Sequence, residues 1–161
     1  MTDAASPSPA RDALAAAAGR LADLIGRARS EVRIYAYDLD ARLYAAEPVL
    51  EAARAFLLRS PSSRLAVLLR DETRLRLEGN RLVDLMQRLP SRTGLRVPRP
   101  EDTDLAEDLV VVDGHTYYYP LRRDPPAEPV ESRRDAVVLA KRLAEAWEFA
   151  EVSMEFRHFT V

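Results

Sequence analysis

The 161-residue chain contains no cysteine. It can therefore form no disulfide, no thiolate zinc site and no cysteine nucleophile. Glycine is also scarce, and the five glycines form neither a glycine-rich phosphate loop nor the Gly-x-Ser-x-Gly turn that presents a serine nucleophile. These absences exclude several common enzyme classes.

Long apolar runs and a strong net charge are missing as well. No 18 apolar residues occur in succession, and the N-terminus lacks the basic start and apolar run of a secretory signal. The 24 basic and 26 acidic side chains leave a net charge of -2, so no overall field draws the protein to nucleic acid or anionic lipid. We expect a cytoplasmic protein with a flexible tail over residues 1–11 and one domain over residues 12–161.

Basic residues with catalytic potential are few. Lys141 is the only lysine, and His115 and His158 are the only histidines. Neither histidine lies in a catalytic or metal-binding motif, so we expect surface or packing roles for both. The carboxylates of residues 104–108 lack the glycine-bearing loop of a calcium hand. We predict no metal and no cofactor.

Hydrophobic spacing predicts alternating helices and strands. Apolar residues recur at helical spacing in some stretches, and in others they alternate or form short apolar runs typical of strands. The predicted helices cover residues 12–28, 48–59, 81–89 and 133–150, and the predicted strands cover 31–37, 65–69, 95–97, 109–112 and 115–119. Four prolines between 120 and 131 predict a loop, and weak alternation over 152–161 predicts a terminal strand. An α/β fold follows, with a mixed β-sheet flanked by helices on both faces.

Two strand predictions are more specific. Asp113-Gly114 is among the best two-residue hairpin turns and joins the strands on either side of it. Side-chain alternation then places Tyr118 on the face opposite Tyr117 and Tyr119. The prolines at 98 and 100 predict that the strand over residues 95–97 lies at an edge of the sheet. Arg122 and its neighbours make a tyrosine face suitable for base stacking or for pairing of two copies.

Three motifs carry a resemblance to a known family. Each motif lies at the end or the start of a predicted strand. The motifs are residues 34–40 (Ile-Tyr-Ala-Tyr-Asp-Leu-Asp), 65–71 (Leu-Ala-Val-Leu-Leu-Arg-Asp) and 108–114 (Asp-Leu-Val-Val-Val-Asp-Gly). With these motifs, residues 12–150 resemble one half of the phospholipase D fold, and in particular an uncharacterised bacterial group of single-half domains. Similar segments accompany other enzymes such as acetyltransferases, which implies an accessory role. Active single-half members pair two copies, so the resemblance also implies a homodimer.

The resemblance implies a catalytic pair that this chain lacks. In active members a His-x-Lys pair opens the strand before the Asp-Gly turn, and the histidine attacks phosphorus while the lysine neutralises the phosphate. The corresponding positions are Ala106 and Asp108. A methyl group is no nucleophile, and a carboxylate about 4 Å from a phosphate repels it by about 1 to 4 kcal/mol. Ordinary phospholipase D chemistry is therefore excluded.

The strand ends nevertheless define a candidate groove. Open α/β sheets bind ligands at the carboxyl ends of their strands. The ligand-binding candidates there are Tyr37, Asp38, Asp40, Arg70, Asp108, Tyr119 and Arg122. Further polar neighbours are Asp71, Asp104, Glu107 and Arg123. The alternative interpretation is that these residues form solvated loops tied by ordinary ion pairs.

Three functions remain open from the sequence. The first is a non-catalytic accessory domain that binds a small polar ligand or a protein partner, or pairs with itself. The second is a hydrolase that uses the groove carboxylates, and the third is a nucleic-acid-binding module. Acidic residues beside the arginines of 122–134 offset much of the positive charge, which disfavours the third.

Overall fold

The computed structural model describes residues 9–157, which form an α/β fold. The helices are α1 (Pro9–Gly26), α2 (Ala41–Tyr44), α3 (Glu47–Arg59), α4 (Thr73–Glu78), α5 (Arg81–Gln87), α6 (Arg133–Phe149) and α7 (Met154–Arg157). The strands are β1 (Glu31–Ala36), β2 (Arg64–Leu69), β3 (Thr93–Val97), β4 (Leu109–Val112), β5 (Thr116–Tyr118), β6 (Val130–Glu131) and β7 (Glu151–Val152). In this described part, no helix is both long and apolar enough to cross a membrane.

One mixed sheet contains these strands in the order β6-β5-β4-β1-β2-β3-β7. β1, β2 and β3 are parallel to one another, β4 runs antiparallel to β1, and β5 runs antiparallel to β4. The carboxyl ends of the parallel strands, the start of β4 and the end of β5 therefore meet at one edge. We call this edge the strand-end edge.

The two faces of the sheet bury different cores. Alternate side chains such as Val32 and Ile34 point to the face covered by α1, α3 and α5, whereas Tyr35 and Leu68 point to the face covered by α6. Strand alternation produces this division because successive side chains point to opposite faces. The predicted mixed sheet with helices on both faces is confirmed.

The Asp113-Gly114 turn is confirmed, and its aspartate has a second role. Both residues have positive φ angles, 54° and 68°, and the His115 N–H donates to the Val112 carbonyl at 3.0 Å to close the turn. Val112 pairs with Thr116, so His115 also belongs to the loop. The Asp113 carboxylate accepts hydrogen bonds from the backbone N–H groups of Arg29, Ser30 and Glu31, at 2.8 to 2.9 Å. The turn thus fixes the start of β1 as well as the hairpin.

The structure corrects several local predictions. Of the strand predicted over 152–161, only Val152 lies in a strand, because β7 ends there and α7 follows; residues 158–161 lie outside the described residues. The proline-rich segment contains the short strand β6, and β3 is not at the edge because it pairs with β7. The helices α2 and α4 were not predicted, since four and six residues are too few for a helical repeat. α1 begins at Pro9, inside the predicted tail.

Trp147 anchors α6 to the sheet, whereas Phe149 does not. The Trp147 ring lies directly on Gly94 of β3, where an added Cβ atom would come within 2.8 Å of the indole. Arg96 stacks on the outer side of the same ring at 4.4 Å. Phe149 is 58% exposed and contacts the Arg99 guanidinium. Glycine at position 94 is therefore needed for close packing of α6.

Candidate functional site

The segment after β1 turns sharply at Leu39. Leu39 has a φ of 58°, a strained angle for a residue with a side chain, yet its side chain is buried. Asn80 holds this turn, since its side-chain amide donates to the Leu39 carbonyl at 3.0 Å while its Oδ1 caps the start of α5. Two aspartates, Asp38 and Asp40, flank the strained residue at the strand-end edge.

Ion pairs occupy both of these aspartates. Asp40 caps α2 and accepts a 2.7 Å hydrogen bond from the Arg42 guanidinium, and hydrogen bonding to Arg42 lowers the pKa of Asp40. Arg74 from α4 lies 3.4 Å from Asp38 and 3.6 Å from Asp40. The two carboxylates are thus neutralised by cations of the same chain, which leaves little charge to attract a cationic ligand.

Asp108 is a structural residue in this fold. It is 4% exposed, and its carboxylate accepts a 3.0 Å hydrogen bond from the Tyr37 backbone and a 2.6 Å hydrogen bond from the Tyr44 hydroxyl. Burial raises the pKa of Asp108, and these hydrogen bonds oppose the increase. Since both oxygens bind groups of the protein, Asp108 fastens the start of β4 to the segment after β1.

A second group of side chains lies at the same edge and combines arginines with tyrosines. Arg70 stacks on Tyr37, which is 51% exposed, with 5.4 Å between guanidinium and ring centre. Arg122 stacks on Tyr119 at 4.4 Å, and its Nε atom donates to Glu107 at 3.0 Å. Arg142 of α6 pairs with Asp104. We call Tyr37, Arg70, Tyr119, Arg122 and Arg142 the arginine–tyrosine group.

The fold therefore brings the predicted residues to one edge, but in two separate arrangements. Asp38, Asp40 and Asp108 are bound by internal donors. In the arginine–tyrosine group Arg122 and Arg142 pair with acidic residues, and Arg70 forms no ion pair within residues 9–157. The remaining polar neighbours are less informative: Asp71 accepts from the Thr73 backbone at 2.8 Å, and Arg123 lies in the loop after β5. Within residues 9–157, no three histidine or acidic side chains could jointly hold a metal ion.

Sequence patterns did not predict four important partners. Tyr44 and Arg74 belong to the short helices α2 and α4, Arg142 lies in a long helix with many polar positions, and Tyr35 was assigned only to a strand. Tyr35 could have been recognised as unusual, because a tyrosine in the middle of a buried strand needs a partner for its hydroxyl. Their contacts depend on elements far apart in the chain.

The tyrosines and histidines behave differently. Tyr118 points away from Tyr117 and Tyr119, as predicted, and its hydroxyl accepts from Arg20 at 3.1 Å. Tyr117 and Tyr119 pack edge to face at 5.9 Å against α6 and are only partly exposed, which disfavours base stacking. The His115 ring bonds Thr116 at 2.8 Å, whereas His158 lies outside the described residues.

An open groove runs beside the two half-buried tyrosines. Its volume is about 740 Å³. Apolar side chains of the loop after β5 and of α6 form much of its wall, among them the exposed Val130 (41%) and Val138 (65%). This groove is a candidate surface for contact with another macromolecule.

Comparison with known proteins identifies a family and a fold. The model of a family described as a domain of unknown function (DUF7931) matches residues 12–159. No curated protein matches the chain in sequence. Two similar structures are Nuc, a phospholipase D family member from Salmonella typhimurium, and NucT from Helicobacter pylori. Nuc has a TM-score of 0.55 and 14% sequence identity, and the match covers 83% of this chain and 88% of Nuc. NucT has a TM-score of 0.59 and 13% sequence identity, and the match covers 92% of this chain and 95% of NucT.

A third similar structure is TrmBL2, an archaeal chromatin protein described as having a novel mode of DNA binding. Its TM-score is 0.60 and its identity 13%, over 87% of this chain and 52% of TrmBL2. The chain thus spans about half the length of TrmBL2. At identities this low, the three similarities establish the fold alone, which is that of the phospholipase D family.

Proposed function

The chain belongs to the DUF7931 family of domains of unknown function, and we propose that it is a non-catalytic domain of the phospholipase D fold that acts by binding. The observation that carries this proposal is the burial of Asp108. By the resemblance of residues 108–114, Asp108 stands at the position of the catalytic lysine and Ala106 at that of the nucleophilic histidine. In this chain the residue before β4 is a buried carboxylate that accepts hydrogen bonds from the segment after β1, and no histidine–lysine pair is present there.

The charges at the strand-end edge support a binding role. Asp38 and Asp40 are both held in internal ion pairs, which argues against the alternative of a hydrolase that uses these carboxylates to activate water. Arg70, by contrast, is exposed beside the exposed ring of Tyr37. In this proposal the domain belongs to a bacterial group that has lost the His-x-Lys pair and serves other proteins as an accessory domain, through a small polar ligand or a protein partner.

A phosphodiesterase assay tests the absence of catalysis. Purified protein is incubated with bis(4-nitrophenyl) phosphate, and we expect no release of nitrophenol above the buffer rate. Asp38→Asn and Asp108→Asn variants serve as matched controls after circular dichroism has shown that they are folded. Turnover by the wild-type protein that either variant abolishes would overturn the proposal in favour of a hydrolase.

The 740 Å³ groove favours a second binding role, pairing of two copies of this chain. The exposed valine Val130 belongs to β6, a strand at the end of the sheet, and the exposed Val138 of α6 lines the same groove. Such apolar edge surfaces are typical of interfaces. Light scattering after size exclusion should give twice the 18.1 kDa chain mass. A Val138→Glu substitution should yield monomers, whereas Leu77→Glu, at a 78% exposed site on α4, should not. A wild-type monomer would exclude this pairing.

A further inference from the structure

The hydroxyl of Tyr35 is buried without a partner. Tyr35 is 2% exposed, and among residues 9–157 no group forms a hydrogen bond with its oxygen. The other two fully buried tyrosines have partners, since Tyr44 donates to Asp108 and Tyr118 accepts from Arg20. A buried hydroxyl that lacks a partner destabilises the fold, so its retention requires an explanation.

Charged side chains surround this hydroxyl on the α6 face of the sheet. Burial raises the pKa of Tyr35; Arg70 and Arg142 act against the increase, whereas Asp104 and Asp108 add to it. Arg70 continues β2 on the same face as Leu68, the residue paired with Tyr35 across the two strands. Arg142 projects from α6. Arg70 and Arg142 are thus near enough for their charges to lower the pKa of the hydroxyl, on the side of the sheet that α6 covers.

These two cations differ in their partners. Within the described part of the chain, Arg70 forms no ion pair, and its guanidinium stacks on Tyr37. Arg142 binds the carboxylate of Asp104, in the loop between β3 and β4. The same loop supplies Glu107, which binds Arg122. Two carboxylates of this loop therefore bind arginines at the strand-end edge.

We propose that Arg70 and Arg142 together bind a phosphate monoester group, which replaces the Asp104 carboxylate on Arg142 and accepts a hydrogen bond from the Tyr35 hydroxyl. The inference rests on the proposed binding function and names the chemistry of the ligand. Arginine binds phosphate oxygens through paired N–H donors, and the tyrosine hydroxyl gains the acceptor that it lacks.

The charge of the site selects a monoester over a diester. A ligand must displace Asp104, whose single charge is held near Arg142 by the chain itself. A phosphodiester also carries one charge and gains little from the exchange. A monoester carries about 1.5 to 2 negative charges at pH 7 and can interact with both guanidinium groups. The exposed ring of Tyr37 offers a stacking surface for a planar group attached to the phosphate.

Isothermal titration calorimetry with phenyl phosphate tests this site, with methyl phenyl phosphate as the matched diester. We expect the monoester to bind at least about tenfold more tightly, and Arg70→Gln or Arg142→Gln to weaken it by about tenfold each. Tyr35→Phe should weaken binding about fivefold without lowering the melting temperature, because it removes a hydroxyl that has no partner in the free protein.

The Asp104→Asn variant provides the sharpest comparison. It removes the competing carboxylate and should tighten monoester binding about fivefold. The control is Asp23→Asn on α1, where the aspartate forms an exposed ion pair with Arg27; this variant should leave the affinity for the monoester unchanged. Equal affinity for the diester, unchanged affinity in both arginine variants, or no binding by wild-type protein and Asp104→Asn at millimolar ligand would overturn the inference. None of these three results would contradict the proposed non-catalytic binding function, which only turnover of a phosphodiester would contradict.

Discussion

The Tyr44 hydroxyl donates a 2.6 Å hydrogen bond to the carboxylate of Asp108 in the interior of the protein. Tyr44 is fully buried and Asp108 is 4% exposed, so water competes little for this bond. It joins α2 to the start of β4 across 64 residues of chain. The same carboxylate also accepts from the Tyr37 backbone.

Replacing Tyr44 with phenylalanine should therefore destabilise the protein. The substitution keeps the ring but leaves one oxygen of a buried carboxylate without its donor, which costs about 2 to 3 kcal/mol in the free energy of unfolding. Urea denaturation monitored by circular dichroism measures the loss. Tyr37→Phe is the control, since its ring is half exposed and only its backbone contacts Asp108; a Tyr44→Phe loss equal to that of the control would contradict the assigned role.

The Asp113 carboxylate makes stability depend on pH. Its burial raises the pKa, but the combined hydrogen bonds from Glu31, Arg29 and Ser30 outweigh this effect and hold the pKa of Asp113 below its ordinary value. A carboxyl group whose pKa is lowered by folding contributes stability above its unfolded pKa, and that contribution is lost as the pH falls through the folded value. The loss should therefore occur below about pH 4.

An Asp113→Asn variant isolates this contribution. Asn-Gly is an equally good hairpin turn, but its neutral amide oxygen can replace only the carboxylate oxygen that accepts from Ser30 and Glu31, so the Arg29 N–H loses its acceptor. We expect a cost of about 2 kcal/mol at pH 7 and a smaller difference from wild type below about pH 4. Thermal melts from pH 3 to 7 measure it, with Asp23→Asn as an exposed control. A difference that is the same at both ends of this range would exclude the charge as its cause.

Gly94 should tolerate no side chain while Trp147 is present. A Cβ atom there would lie 2.8 Å from two indole carbons, so Gly94→Ala should displace α6 and cost about 1 to 3 kcal/mol. The double variant Gly94→Ala/Trp147→Phe restores space. Chemical denaturation of the four proteins gives the coupling energy, and purely additive losses would show that the indole is not the obstacle.

Asn80 combines two tasks that substitutions can separate. Asn80→Asp keeps the oxygen that caps α5 but loses the amide donor to Leu39, whereas Asn80→Ala loses both. We expect Asn80→Ala to cost about 2 to 3 kcal/mol, the sum of a helix cap and an unpaired buried carbonyl, and Asn80→Asp to cost less. Equilibrium unfolding in urea measures both. If the aspartate variant is as unstable as the alanine variant, the cap contributes nothing.

Periodicity sufficed for the long elements of the fold. β1, β2, β4 and β5 and the helices α1, α3, α5 and α6 were predicted because each repeats a local pattern over several residues. The Asp113-Gly114 turn was predicted because its backbone angles favour these two residues. The two-residue strands β6 and β7 and the short helices α2 and α4 were not predicted, because they show no repeating pattern and form through partners distant in sequence.

The candidate site likewise has some features that the sequence determines and others that only the structure determines. The amino-acid sequence by itself determined that no histidine or lysine stands before the Asp113-Gly114 turn and that polar residues meet at the strand-end edge. Only the tertiary structure decided that Asp108 is buried against Tyr44 and that, among residues 9–157, no group forms a hydrogen bond with the buried hydroxyl of Tyr35. Burial and pairing are properties of neighbours brought together by packing, and no local pattern along the chain encodes them.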